Sequence, residues 1–115
     1  MSENNSSGTD KLNADQQQQL LFMMLIQQHE QIAMMGLGKI KNPAIDKIDR
    51  DLKAAKFAID TLVTLEKFTE GNLPKELSGF LKHTLTTLRL NYADEKKKVS
   101  SSPPDKNNST TDAEN

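Results

Sequence analysis

The chain has 115 residues, a formal net charge of −1 at pH 7, and no cysteine or tryptophan. This length gives room for one domain at most. The near-zero charge supplies no field that would attract nucleic acid or an acidic membrane. Without cysteine the chain cannot form disulfides, thiol nucleophiles or zinc–thiolate sites. Such a composition suits a reducing compartment, and we expect a cytoplasmic protein.

Both ends of the chain are polar. Residues 1–15 and 99–115 consist mainly of Ser, Asn, Asp, Thr, Lys and Pro, so they cannot bury enough apolar surface to offset the entropy of ordering. We therefore predict two disordered tails around one helical domain over residues 16–98. The longest apolar run, residues 20–26, is too short to span a membrane, which takes about 20 residues. The basic segment that precedes the apolar stretch of a signal peptide is not found before this run, so we expect no signal peptide here.

The first predicted helix covers residues 16–35 and contains that apolar run. Asn13 or Asp15 could cap its start, and Gly36 could end it in the left-handed conformation. The central turns of this helix are apolar on every side, whereas a helix on the surface of a small domain normally shows one apolar stripe. The pattern therefore predicts that more than one face of the helix is covered.

Two further helices are predicted, over residues 46–69 and 74–97. Aspartates near the start of the second suit the positive end of the helix dipole, and Pro74 suits the first turn of the third. The short connection, residues 70–73, predicts that helices 2 and 3 form an antiparallel hairpin packed on helix 1. The predicted fold class is therefore all-α, with three helices. Gly79, inside the third helix, could mark a close helix contact or be a tolerated surface glycine.

One side of helix 1 is left over once the hairpin covers the other. We predict that this candidate interface is formed by Phe22, Met23, Ile26 and Met34. Methionine is flexible and suits adaptable contact surfaces as well as plain core packing. The uncovered side predicts a homo-oligomer, with a dimer favoured, or an unknown protein partner. A charge at Ile26 is expected to dissociate or unfold the protein.

Few groups in the sequence could carry chemistry. His29 and His83 lie on different predicted helices, and the adjacent His29 and Glu30 point about 100° apart, which does not suit a shared metal ion. Residues 36–39 follow a helix and lack the spacing of a phosphate-binding loop. We predict no catalytic residue, no metal site and no cofactor, and therefore no enzyme.

Charged residues support two weaker alternatives and one structural hypothesis. Six basic residues lie between Lys39 and Lys56, but three aspartates interleave with them, which argues against nucleic-acid binding there. Peripheral membrane contact through helix 1 also ranks below protein binding, because interfacial helices usually carry Lys or Arg. Arg89 could form a bidentate ion pair with Asp60, or it could be an exposed arginine whose stem covers apolar surface.

Several short motifs occur in a recognisable order. They are Asn42-Pro43, then Asp51-Leu52 followed by Ala55, Ile59-Asp60, Leu62 and Leu65, then Thr69-x-Gly71-Asn72-Leu73, and finally Leu88-Arg89-Leu90-x-Tyr92. In this order and spacing they resemble the bacterial domain-of-unknown-function family numbered eighteen forty-four, over roughly residues 22–92. Pro74 departs from the Ser or Thr cap usual in that family. The resemblance implies a small all-helical cytoplasmic bacterial protein with polar tails, and it implies no activity.

The sequence thus predicts a non-enzymatic module that self-associates or binds another protein through helix 1.

Overall fold

The computed structural model describes the backbone of residues 11–101 and the side chains of residues 11–98. Within that part of the chain there is no strand, and one isolated bridge joins Asn42 to Lys47. Three helices follow one another: α1 (Ala14–Gly36), α2 (Leu52–Thr69) and α3 (Lys75–Ser101). The prediction of an all-α fold with three helices is confirmed.

The start of α1 is fixed by a capping box. The side-chain oxygen of Asn13 accepts a hydrogen bond from the Gln16 backbone N–H at 2.8 Å, and the Gln16 side chain accepts one from the Asn13 N–H at 3.1 Å. Both N–H groups would otherwise lack a partner within the helix. Asn13 is therefore the cap, and α1 begins two residues before the predicted start at residue 16. Of the predicted disordered tails, 1–15 and 99–115, residues 1–10 and 102–115 lie outside the described residues, whereas residues 14–15 belong to α1 and residues 99–101 to α3.

The end of α1 is made by Gly38. This residue has a φ of +79°, and its N–H donates to the carbonyl of Met35 at 3.0 Å. The N–H of Lys39 then donates to the carbonyl of Met34 at 2.9 Å. These two bonds are the Schellman motif that commonly ends helices. Gly38 takes the left-handed position that the sequence analysis assigned to Gly36.

Gly36 instead allows close packing. A Cβ atom there would lie 2.7 Å from the carbonyl oxygen of Asp51 and 2.8 Å from the backbone nitrogen of Ala55. The Asp51 N–H also donates to the Gly36 carbonyl at 2.8 Å. The end of α1 and the start of α2 therefore touch through their backbones.

The segment before α2 is a set of turns where the sequence predicted helix. α2 begins at Leu52, six residues after the predicted start at residue 46. The Asn42 N–H donates to the Lys47 carbonyl at 2.8 Å, and Asp46 has a φ of +55°, which a right-handed helix does not allow. Asp51 is the cap, because its carboxylate accepts a hydrogen bond from a backbone N–H in the first turn at 3.2 Å.

Both α2 and α3 pack on α1. One ion pair joins α2 to α3: Lys82 meets Glu66 at 3.0 Å. A second joins the segment before α2 to the end of α3, where Arg50 meets Glu95 at 3.1 Å. The antiparallel direction of α2 and α3 stays a prediction. Gly79 is a surface glycine, because no described atom lies within 4 Å of the position its Cβ would take. The buried core comprises Ile26, Ala33, Leu37, Leu52, Ala55, Ala58, Ile59, Leu62, Leu77, Leu81, Leu85 and Leu88.

Candidate functional site

α1 presents a second apolar face to solvent. Leu21 is 63% exposed, Met24 52% and Ile32 37%. At about 100° per residue, they lie around Gln28 on the side of the helix opposite the buried Ile26. The half-buried Leu25 and Met35 lie on the same side. We call this surface the outer face of α1, and it comprises Leu21, Met24, Leu25, Gln28, Ile32 and Met35.

The outer face carries no charge. The exposed Gln17 and Gln31 border it, and the half-buried His29 lies beside Leu25 on its other edge. The acids of α1, Asp15 and Glu30, lie outside it, and the helix contains no lysine or arginine. A neutral surface of this kind can be covered by another helix without removing an ion from water, which is the most expensive part of burying polar groups.

The predicted interface residues lie on the opposite, inner side of α1. Ile26 is 0% exposed within the single chain, so it is not available to a partner. Phe22, Met23 and Met34 are half-buried and pack against the core. The structure corrects the sequence analysis on this point: the chain covers the side that was expected to remain uncovered. The physical reason is that the small residues Ala33 and Gly36 are buried and allow α2 to approach α1 closely.

A smaller apolar surface lies on α2. Phe57 and Phe68 are the two most exposed of the large apolar side chains described, and they lie three turns apart, or about 16 Å along the helix. Between them, the hydroxyls of Thr61 and Thr64 each donate to a backbone carbonyl one turn earlier at 2.8 Å. Exposed lysines border this face. Two isolated rings beside cations make a less continuous apolar surface than the outer face of α1.

The predicted ion pair of Asp60 with Arg89 is not formed among the described residues. The Asp60 carboxylate instead accepts a hydrogen bond from Lys56 Nζ at 2.8 Å, and this bond raises the pKa of Lys56. Arg89 lies exposed on α3. Of the two possibilities left open by the sequence, the structure therefore favours an exposed arginine.

A buried charge cluster that the sequence analysis missed is centred on Glu95. This side chain is 8% exposed, and its two carboxylate oxygens accept hydrogen bonds from Arg50 at 3.1 Å, Lys39 at 3.1 Å and Lys98 at 2.9 Å. The hydrogen bond from Lys98, together with those from Lys39 and Arg50, lowers the pKa of Glu95 to about 2, although burial acts in the opposite direction. The cluster ties the connection between α1 and α2 to the end of α3.

The same cluster bears on the basic region between Lys39 and Lys56. Nucleic-acid binding requires cations that are free to neutralise phosphates. At least four of the six basic residues of this region already face a carboxylate; they are Lys39 and Arg50 with Glu95, Lys41 with Asp46, and Lys56 with Asp60. The region therefore offers little uncompensated positive charge.

The remaining polar groups of residues 11–98 do not converge on one site. Among the described residues no set of three or more His, Cys, Asp or Glu side chains could hold a metal ion. Nδ1 of His29 lies 3.0 Å from the Leu25 carbonyl of its own helix. A groove of about 430 Å³ at the start of α1 is lined by Phe22, Leu77 and neighbours, and Asp15 is the one titratable side chain among the described residues of its lining. Acid–base catalysis normally needs at least two such groups in reach of one substrate.

Within the described part of the chain, no helix has both the length and the apolar character required to cross a bilayer.

These features define a small all-α protein whose outstanding surface is an uncovered apolar helix face. Residues 19–94 match the family described as Domain of unknown function (DUF1844), and since this match includes more than half of the chain, the protein belongs to that family. The resemblance noted from the sequence is thereby confirmed. The family description assigns no activity. No curated protein and no solved structure matches the chain.

Proposed function

We propose that this protein is a non-enzymatic helical module that associates with a second copy of itself through the outer face of α1. The observation that carries the proposal is the exposure of Leu21, Met24 and Ile32 on the side of α1 that faces away from the core. Removing apolar surface from water is the main favourable term in most protein association. Contiguous exposed apolar patches with polar borders are typical of interaction sites.

A second copy is the occupant that the chemistry of this face supports. Dimers with two-fold symmetry use the same patch on both subunits, so the patch must be compatible with itself. The outer face is uncharged, and two copies can therefore meet without repulsion. A single small core also supplies limited stability, which oligomerisation can raise.

The two alternatives have less support. A helix that lies on a membrane usually has Lys or Arg beside its apolar face, and α1 has neither. We expect the full chain to stay out of the lipid fraction when it is floated with anionic vesicles. Because most cations of the basic region are paired, we also expect no shift in a DNA- or RNA-binding titration at low salt.

Light scattering of the full chain over a dilution series tests the proposal. We expect the wild-type protein to have the mass of a dimer and Met24→Lys to have that of a monomer. Methionine and lysine have similar helix propensities and Met24 is half exposed, so the substitution places a charge in the interface without disturbing the folded chain.

Phe57→Lys is the matched control. It also replaces an exposed apolar side chain by lysine, but on α2. We expect this variant to remain dimeric, and circular dichroism should show equal helix content in all three proteins. A wild-type monomer at every concentration would refute the proposal. So would a dimer whose mass is the same in Met24→Lys.

A further inference from the structure

Methionines are concentrated in α1. Four of the five methionines of the chain lie in this helix, as the adjacent pairs Met23-Met24 and Met34-Met35. Neighbouring residues of a helix point about 100° apart, so each pair places one methionine on the outer face and one on the inner side. Met24 is 52% exposed, whereas the other three are half-buried. The thioether of Met24 is therefore the one of these four that solvent reaches most readily in a single chain.

We propose, on the basis of the self-association described above, that Met24 is an oxidation site that regulates it: conversion of the thioether to the sulfoxide by a peroxide separates the two copies. The chain has no cysteine, so it offers no thiolate that would react with the oxidant first. Met24 also lies within the outer face, one turn before Gln28 and two turns before Ile32. A chemical change at its sulfur is therefore a change in the contact surface itself.

The reaction with hydrogen peroxide alters only the sulfur. A lone pair of the thioether attacks one peroxide oxygen, so that a sulfur–oxygen bond forms and the oxygen–oxygen bond breaks. The sulfur is oxidised by two electrons and the peroxide is reduced by two. The second oxygen leaves as hydroxide, takes the proton of the transferred oxygen and becomes water. The product is a polar sulfoxide in place of a flexible apolar group, and this change disrupts methionine-rich interfaces.

The outer face is a poor environment for a sulfoxide. Apart from Gln28, which supplies one carboxamide, the face is apolar. When two copies meet, each sulfoxide oxygen exchanges hydrogen bonds to water for contacts with apolar side chains, which is unfavourable. In a dimer of two-fold symmetry both copies bear this cost. We expect oxidation to raise the dissociation constant at least about tenfold.

Self-association also protects Met24 from the oxidant. The exposure of 52% is that of a single chain, and a second copy on the outer face covers the side chain. A peroxide therefore reacts with dissociated chains, and each oxidised chain remains a monomer. Met24 should consequently be oxidised more slowly at high protein concentration than at low. Met23, half-buried on the inner side, should react equally slowly at both concentrations.

Light scattering of the full chain over a dilution series, before and after treatment with hydrogen peroxide, tests the proposal. Mass spectrometry of proteolytic peptides measures the fraction of sulfoxide at each methionine, and circular dichroism measures the helix content. We expect Met24 to be oxidised first, the dissociation constant to rise, and the helix content to stay constant. Because methionine sulfoxide reductases reverse the modification, treatment with these enzymes should restore the dimer.

Two variants identify the methionine responsible. Met24→Leu replaces the thioether by an apolar group of similar volume that a peroxide does not oxidise, so its dissociation constant should change little on the same treatment. Met23→Leu is the matched control, because it removes the neighbouring methionine on the inner side, and it should respond as the wild type does. Each variant is compared with its own untreated sample, so that any effect of the substitution on association cancels.

Several results would overturn the oxidation proposal while the proposed self-association stands. They are a treated wild type that stays a dimer although Met24 carries the sulfoxide, oxidation of the half-buried methionines before Met24, and a Met24→Leu variant that dissociates as strongly as the wild type on treatment. A loss of helix content on oxidation would also overturn it, because the copies would then separate by unfolding. If the untreated wild type is a monomer at every concentration, the proposed function itself fails.

Discussion

Replacing Gly36 by alanine is expected to destabilise the protein, although alanine is much the better helix former. The new Cβ would lie 2.7 Å from the Asp51 carbonyl oxygen, 2.8 Å from the Ala55 nitrogen and 2.9 Å from the Ala55 Cβ. Carbon atoms in comfortable contact lie about 3.5–4.0 Å apart. Because two of the three neighbours are backbone atoms, no side chain can rotate away, and α2 must shift by several tenths of an ångström or more.

The magnitude follows from two opposing contributions. Overpacking of this kind costs about 1–3 kcal/mol. Exchanging glycine for alanine inside a helix returns about 1 kcal/mol. Since the obstruction at Gly36 is mostly backbone, the cost falls in the upper part of its range, and we expect a net loss of about 1–2 kcal/mol in the free energy of unfolding.

Gly79→Ala is the matched control for this prediction. It is the same chemical change inside α3, at an exposed position where no described atom lies within 4 Å of the new Cβ. Only the helix preference remains, so we expect a gain of about 0.5–1 kcal/mol. The same glycine-to-alanine change is therefore expected to lower the free energy of unfolding at position 36 and to raise it at position 79.

Urea unfolding followed by circular dichroism measures both effects. Protein concentration must be equal in all samples, because self-association would add to the apparent stability. With a slope of about 1–1.5 kcal/mol per molar urea, Gly36→Ala should lower the midpoint by roughly 1 M, and Gly79→Ala should raise it by roughly 0.5 M. A rise of the midpoint in both variants would refute the reasoning, because the contact between α1 and α2 at Gly36 would then impose no steric limit.

Two further predictions concern buried groups. The pKa of Glu95 lies at about 2, below its usual 4.5, so its charge stabilises the folded state fully above about pH 4.5 and progressively less as the pH falls toward 2. Glu95→Gln should therefore lower the urea midpoint near pH 7 by an amount equivalent to about 1–2 kcal/mol, allowing for solvent around its half-exposed partners. The difference from wild type should close near pH 2, and a difference independent of pH would contradict this. Ile26→Asp should lose helix content and cooperative unfolding because it puts an unpaired carboxylate in the core. Leu21→Asp, on the outer face, should keep its helix content. Equal circular dichroism spectra for the two variants would contradict this prediction.

The sequence predicted three helices, and in α2 and α3 the apolar residues recur at a single helical spacing. The sequence of α1 does not indicate which side of the helix is buried, because its central turns are apolar all round. Its inner side is selected by small residues: Gly36 meets Ala55 backbone to backbone, and the alanine at position 33 is fully buried. Small residues three apart, at 33 and 36 and again at 55 and 58, are the signal that could have identified this side.

Two other differences have local physical causes. Aspartates 46, 49 and 51 suit the first turn of a helix, but the hydrogen bonds of Asn42 and the positive φ of Asp46 set a turn instead. Hydrogen bonds between residues three to five apart that form a turn are not visible in the helix propensities of single residues. Glu95 could have been found, because it lies seven residues after the buried Leu88. An acid that continues a core stripe indicates a buried carboxylate with cationic partners.

The Glu95 cluster and the capping box of α1 have a practical consequence for the boundaries of the folded unit. The family match covers residues 19–94, so it ends one residue before Glu95 and begins after the Asn13–Gln16 box. A fragment trimmed to the matched residues would leave Lys39 and Arg50 without their shared carboxylate and would expose an uncapped helix start. Truncation at the limits of family similarity would therefore cut into this protein at both ends, and a recombinant fragment that keeps the fold must extend at least from Asn13 to Lys98.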